Sequence, residues 1–368
     1  MDRQNCLIIG CGGCGGNQLD ELLNIDNRYA SLFINTNLSE MDILDNYTER
    51  NSFYIPNADG TGKNRDIAKK YFIEEQANIV GLLMKFANQP FIFLLASADG
   101  GTGSSAIIAF SKIIHTFLPE KKINVIVTMP SLNAGRIAFE NALDFWNELI
   151  ELKTKKIIQS VQFIDNNKNN FSESEINKKA METFDKSFDI AEGNIDTSDL
   201  ERAHNCPGYK MILTLNNNYD NIVDAIIEAG EESVFYLPKM NSNVGSIYQC
   251  KQMLGNINEV YNQKELSKAV EIFDTSKVNI TDEESIIMLS GCKIPKEPIE
   301  LINEALKEIV ERESEFNDCD DEDLFIHRDS KPKEIINNNS SNEENISKKK
   351  KTKSKMTKAE FQKLLKNL

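Results

Sequence analysis

Residues 5–17 read NCLIIGCGGCGGN, an apolar run that ends in a cluster of glycines. Asn5–Gly10 has the texture of a strand buried on both faces, and Gln18–Leu23 that of a helix start. Between them lie Gly10, Gly12, Gly13, Gly15 and Gly16, with Asn17 closing the loop. Strand, glycines and helix in that order suit an anion, because backbone N–H groups can approach it where no Cβ intervenes and the helix N-terminus adds positive partial charge. The pattern repeats. Phe91–Ala96 (FIFLLA) is a second buried run, and it leads into Asp99-Gly100-Gly101-Thr102-Gly103-Ser104-Ser105. Two such loops at the ends of two parallel strands can hold one polyphosphate from both sides.

Other nucleotide motifs fit less well. The chain has no GxxxxGK[ST], so a P-loop is excluded. Gly10, Gly12 and Gly15 satisfy GxGxxG, but a dinucleotide site wants an acid where the second strand ends. The second strand here, Ser31–Asn35, ends in Asn35-Thr36-Asn37. Cys11 and Cys14 form a CxxC with no second pair to complete a zinc site, and read as small side chains within the glycine-rich turn.

Farther along, Arg65–Asn88 has helical spacing, Ile107–Phe117 is a helix, Ile123–Met129 a strand, Ile137–Leu152 a helix and Val161–Asp165 a strand. The alternation predicts an α/β protein with a doubly wound parallel sheet over residues 1–170. Ser172 and Glu175 form a capping box that opens a long central helix, 171–193. After Pro207 the texture changes, and Tyr209–Leu215, Ser233–Leu237 and Ser285–Ser290 read as strands of a smaller α+β unit, 194–296. Pro298–Phe316 has an apolar face and is expected to pack on the body as an amphipathic C-terminal helix, 297–317.

The last segment, 318–368, reads as a flexible tail. Its Asn- and Ser-rich stretch cannot bury enough apolar surface to offset chain entropy. It ends in a short basic helix capped by Thr357 and Glu360. The net charge of the chain is −15, yet 348–368 carries nine lysines against one acid, Glu360. An acidic body argues against non-specific binding of nucleic acid by the body itself, and a basic tail suggests a separate task. No apolar run reaches the ~18 residues of a membrane span, no leader is legible, and the scattered cysteines fit a reduced, cytoplasmic setting.

On these residues the chain resembles the tubulin/FtsZ superfamily. The first loop is similar to that family's first nucleotide loop. GGTGSS resembles its signature GGGTG[ST]G, with Asp99 in place of the first glycine and Ser105 in place of the last. Asn35-Thr36-Asn37 is similar to its NTD, Gly60-Thr61-Gly62-Lys63-Asn64 to its γ-phosphate loop, Thr128 and Pro130 to its T-x-P, and Gly135-Arg136 to its Gly-Lys/Arg. Ile164-Asp165-Asn166-Asn167-Lys168 resembles IPNDK and so places Asn166 at the ribose or base. Asp185 falls where the family has a guanine-reading Asn. Asn194-Ile195-Asp196-Thr197-Ser198-Asp199 fits NxDxx[DE].

The resemblance implies GTP or GDP on the glycine loops, with Mg²⁺ on the phosphates. It also implies a head-to-tail filament in which Asn194, Asp196 and Asp199 of the next subunit orient the attacking water. Phosphoryl transfer needs mostly positioning and charge stabilisation, which a neighbour can supply. Heterologous contacts that do not close give filaments. The basic tail sets the chain apart from acidic tubulin tails and from the short apolar end of cell-division FtsZ. It is more like the TubZ branch, whose filaments segregate plasmid or prophage DNA through a centromere-binding adaptor protein engaged by the tail. A cell-division scaffold and a phage-positioning filament of the PhuZ kind are the alternatives.

Overall fold

A computed structural model describes residues 2–56, 58–168, 171–188, 197–216, 228–238, 246–250, 271–275 and 284–317. The tail 318–368, with its expected basic helix, lies outside them.

The apolar runs become the centre of a ten-stranded sheet. In chain order the first elements are β1 (Cys6–Cys11), α1 (Gly12–Ile25), β2 (Ala30–Asn35), a short α2 (Leu38–Met41) and β3 (Ser52–Tyr54). Next come α3 (Arg65–Glu74), α4 (Gln76–Leu83), β4 (Phe91–Ser97), α5 (Gly101–Phe117), β5 (Lys122–Met129), α6 (Arg136–Thr154), β6 (Ser160–Asp165) and α7 (Glu173–Lys186). The strands run parallel in the order β3-β2-β1-β4-β5-β6. Chain order therefore reverses between β1 and β4. Such a switch point opens a crevice at the carboxyl ends of the strands, and both glycine runs lie there.

Period-two alternation divides the core. Leu7, Ile9, Ile92, Leu94 and Ala96 face one side, under α3, α5 and α6. Cys6, Ile8, Phe91, Phe93 and Leu95 face the other, under α1 and α7. Every β1 residue is buried, as expected of a strand covered on both faces.

The glycine runs are not free loops. α1 begins at Gly12 and α5 at Gly101, so the glycines form the first helical turns. The helical spacing of 65–88 is broken too: Glu75 leaves helical geometry at φ −92° and ψ 7°, and the chain restarts as α4 before a 3₁₀ turn at 84–86. Neither Gly nor Pro marks that break. The Ser172–Glu175 capping box is present, and helical geometry is described as far as Lys186; 189–196 lies outside the described residues.

Beyond α7 come α8 (Thr197–His204), β7 (Gly208–Asn216), β8 (Ser246–Cys250), β9 (Glu271–Thr275), β10 (Glu284–Cys292) and α9 (Glu297–Asn317). These strands continue the same sheet in the order β7-β10-β8-β9, with β10 antiparallel to both neighbours. β7 pairs with β6 only at Ser160↔Gly208 and Val161↔Tyr209 and then diverges. The edge of β6 that it leaves open is taken by residues 234–236: Asp165 N–H donates to Val234 O and Tyr236 N–H to Phe163 O. That explains why 233–237, read from sequence as a strand, forms a single bridge, Ile164↔Phe235. α9 packs against α6 through Ile302, which is buried, and through Ile299, Leu306 and Ile309.

Two polar groups lie buried at the amino-terminal end of the strands. Arg3, just before β1, makes a two-pronged ion pair with Asp185 (Nε–Oδ1 2.6 Å, guanidinium N–Oδ2 2.9 Å), and Tyr29 donates to Asp185 Oδ1 at 2.7 Å. Lys210 on β7 is wholly buried, with Nζ 3.4 Å from His204 Nδ1 and 5.1 Å from the centre of the Phe93 ring. His204 Nε2 is 3.2 Å from Ser187 O, and its ring stacks on Phe188 at 4.4 Å. Burial pushes the His204 imidazole well below its ordinary value. The neutral ring then carries its proton on Nε2, donates to Ser187, and accepts from the lysine at Nδ1.

Candidate functional site

The crevice at the switch point is a cavity of about 600 Å³, within the range of small-molecule sites. Its floor is made by backbone contact between the two glycine turns. A Cβ on Gly10 would come within 2.5 Å of Gly15 O, and one on Gly15 within 2.1 Å of Leu95 O. Gly12, at φ +67°, packs on Gly103, where a Cβ would lie 3.0 Å from its backbone nitrogen. Close packing therefore accounts for Gly10 and Gly15, which bring α1 against β4. Gly12, Gly13, Gly100, Gly101, Thr102 and Gly103 line the cavity itself. The N-termini of α1 and α5 both open into it, so backbone N–H groups supply its positive field.

The walls come from the ends of the other strands. Asn17 follows the first turn; Asn35, Thr36 and Asn37 lie at the end of β2; Gly60, Thr61, Gly62 and Lys63 form the segment before α3; Asp99 precedes α5; Asn166 follows β6. Three hydroxyls meet where these segments touch: Thr36 Oγ1 is 2.7 Å from Thr102 Oγ1, which is 3.4 Å from Thr61 Oγ1. Lys63 is the one basic side chain lining the cavity among the described residues.

Other residues singled out from the sequence stand elsewhere. Gly15, Gly16, Asn64, Ser104, Pro130 and Arg136 do not line the cavity. Asn64 caps α3, accepting from the N–H groups of Asp66 and Ile67. Ser104 is buried, donates to Gly100 O at 2.5 Å and accepts from Arg65 Nε at 2.9 Å. The carbonyl of Pro130 accepts from Asn167. Arg136 is ion-paired to Glu140 and to Glu313 of α9. Asp185 is held by Arg3, just before β1, and by Tyr29, just before β2, roughly 20 Å of strand from the glycine turns, and does not reach the cavity. Asp199 belongs to α8, while Asn194 and Asp196 lie outside the described residues.

The cavity also has walls that the sequence reading did not assign to it: Cys11, Cys14, Glu40, Ile43, Ser97, Glu173 and Asn177. Asn177 is one turn beyond Glu173 on α7, and its Oδ1 accepts from Gln18 Nε2 at 3.1 Å. The same Gln18 donates to Thr128 Oγ1 at 2.6 Å. Glu40 accepts from Asn35 and Asn37, both at 3.0 Å. The acid missing from the end of β2 thus arrives five residues later. Cys11 and Cys14 are free, and burial pushes the Cys14 thiol up to about 12, so neither offers a thiolate at neutral pH. No group of three or more His, Cys, Asp and Glu side chains suited to a metal occurs among the described residues.

A doubly wound sheet with two glycine turns facing one polar cavity at its switch point defines a nucleotide-binding protein of the α/β class. Residues 5–173 match the family model Tubulin/FtsZ family, GTPase domain. Over that span the chain is similar to the GTPase domain of the tubulin/FtsZ family. It is 25% identical over 354 residues to the tubulin-like protein TubZ of Clostridium botulinum C phage, covering 94% of this chain and 95% of that one. Among solved structures, the tail-truncated TubZ of Clostridium botulinum phage c-st is similar at a TM-score of 0.74 and 24% identity, over 84% of this chain and 99% of that one. The GTPγS-form protofilament of TubZ from Bacillus thuringiensis serovar israelensis is similar at 0.69 and 18% identity, over 87% and 94%. No helix among the described residues is long and apolar enough to cross a membrane.

Proposed function

We propose that this chain is a GTP-dependent polymerising protein that hydrolyses GTP where subunits meet, and that its tail couples the polymer to DNA. The observation that carries the reading is the cavity: two helix N-termini on glycine turns for the phosphates, with Asn166, Glu173 and Asn177 at the far side for ribose and base. Asn177, not Asp185, takes the base-reading role. Gln18 fixes its carboxamide, and the second lone pair on its oxygen is open to a guanine N–H.

Mg²⁺ fits as a phosphate-held ion, since it is bound through few carboxylates and keeps much of its coordination for phosphate and water. When bound it neutralises charge on the phosphates. Thr102 and the α1 and α5 N–H groups hold the phosphate oxygens, and Asn17 and Asn177 orient the base. The carboxylates that line the cavity are engaged within it, Asp99 by Lys63, Glu40 by Asn35 and Asn37, and Glu173 by Asn166, and we assign the orienting of water to Asn194, Asp196 and Asp199 of a neighbouring subunit.

Similarity to TubZ along nearly the whole chain and to a TubZ protofilament supports filament formation, and segregation of plasmid or prophage DNA is what the resemblance to the TubZ branch implies. In that reading the lysine-rich 348–368 engages a DNA-bound centromere adaptor. The test is phosphate release from GTP against protein concentration, with light scattering in parallel. Specific activity that climbs above a threshold together with scattering is expected. Activity per subunit that is flat with concentration, without scattering, would break the shared-site mechanism.

A further inference from the structure

The segment 60–63 is fastened to the start of α5 by contacts within the protein itself. Lys63 sits at φ +61°, a conformation that side chains other than glycine seldom adopt. Its carbonyl accepts from Asn141 Nδ2 at 2.8 Å, and the same amide group donates to Asp99 O at 3.0 Å. Its ammonium is 3.0 Å from Asp99 Oδ2. Gly101 has no room for a Cβ, which would lie 2.3 Å from Thr61 Oγ1 and 2.9 Å from the Lys63 carbonyl carbon. The one cation facing an anion-binding cavity, among the described residues, is therefore already engaged by a carboxylate of the same cavity.

We propose that Asp99 is an internal substitute for the last phosphate of a nucleoside triphosphate, and that it sets how strongly this site prefers triphosphate to diphosphate. The inference rests on the reading of the cavity as a guanine-nucleotide site. A nucleotide whose base lies on the α7 side runs its phosphates along the α1 and α5 N-termini toward Lys63. A diphosphate leaves the Lys63–Asp99 pair intact. A triphosphate must draw Lys63 away from Asp99 and then lie beside an uncompensated carboxylate, so Asp99 lowers triphosphate affinity selectively. In the diphosphate state the same pair holds 60–63 against α5. Asn141, which touches backbone carbonyls only, is a positioning residue for this arrangement.

The experiment titrates full-length protein, kept dilute to prevent assembly, with fluorescent GDP and fluorescent GTPγS in Mg²⁺ buffer. Asp99→Asn preserves shape and removes the charge. It is expected to tighten GTPγS about tenfold and to change GDP by less than about twofold, as removal of one charge near a partly screened phosphate should. The double variant Asp99→Asn/Lys63→Asn should bind GTPγS more weakly than Asp99→Asn, because part of the benefit passes through the freed lysine. If Asp99→Asn weakens GTPγS, or shifts both nucleotides alike, or leaves both unchanged, the assignment is overturned while the nucleotide site stands. Failure of the unmodified protein to bind either nucleotide would instead remove the reading of the cavity.

Discussion

Lys210→Met offers the sharpest test of the buried polar cluster below the sheet. Lys210 has no exposed surface, and its ammonium faces an imidazole and a phenyl ring. Burial lowers its pKa from 10.5 to about 7, with a small opposing contribution from Cys6. The sign follows from counting protons. Between about pH 7 and about pH 10.4 the unfolded chain holds a proton on this lysine and the folded chain does not, so stability rises with pH across that window. Below about 7 both states are protonated and the penalty is constant. At about 1.4 kcal/mol per unit, the penalty at pH 7 is on the order of 4 kcal/mol and vanishes above about pH 10.5. Methionine has similar length and no charge. Against the gain stands the lost hydrogen bond to His204 Nδ1, about 1 kcal/mol. Lys210→Met should therefore be more stable near pH 7 by roughly 3 kcal/mol, and the two proteins should converge by about pH 9.5–10. Urea unfolding of both proteins at half-unit steps from pH 6.5 to 9.5 measures this directly. Curves that stay parallel over that range would refute the reasoning, because other titrating groups are common to both chains.

Two residues of α7 should behave in opposite ways. Asp185→Asn removes a carboxylate held by Arg3 and Tyr29 and should cost about 3 kcal/mol of stability, read as a lower thermal midpoint, with GDP affinity unchanged. Asn177→Leu should leave the midpoint within a few degrees but weaken GDP at least about tenfold in a fluorescence titration; undiminished binding would exclude Asn177 from base recognition.

These two residues also show where sequence reading succeeds and where it stops. The glycine turns are legible because a buried strand, a glycine cluster and a helix start in that order have few other uses. Asn177 and Asp185 are eight positions apart on one helix, so they share a similar phase, and periodicity cannot say which of them meets the cavity. Depth along the helix decides it, and depth is set by where Ser172 caps α7 relative to the strand ends. Glu40 enters the cavity because Asn37 caps a four-residue helix, a turn too short to leave a periodic trace. The segment 233–237 has the composition of a strand, but it serves only to cover an edge that β7 abandons.

The backbone contacts of Gly10 with Gly15 and of Gly12 with Gly103 have a consequence for traffic through the site. They lock β1, α1, β4 and α5 into one solid floor that cannot open without separating packed backbone. The parapet above it is of another kind. Exposed Glu40 tethers Asn35 and Asn37 on one side, and the single ion pair of Lys63 with Asp99 stands on the other, 51% and 20% exposed. Both are contacts of the sort that water can exchange at little cost. With the cavity read as a nucleotide site, exchange in an isolated subunit is expected to follow the breaking of these rim contacts, with the floor serving only as its anvil.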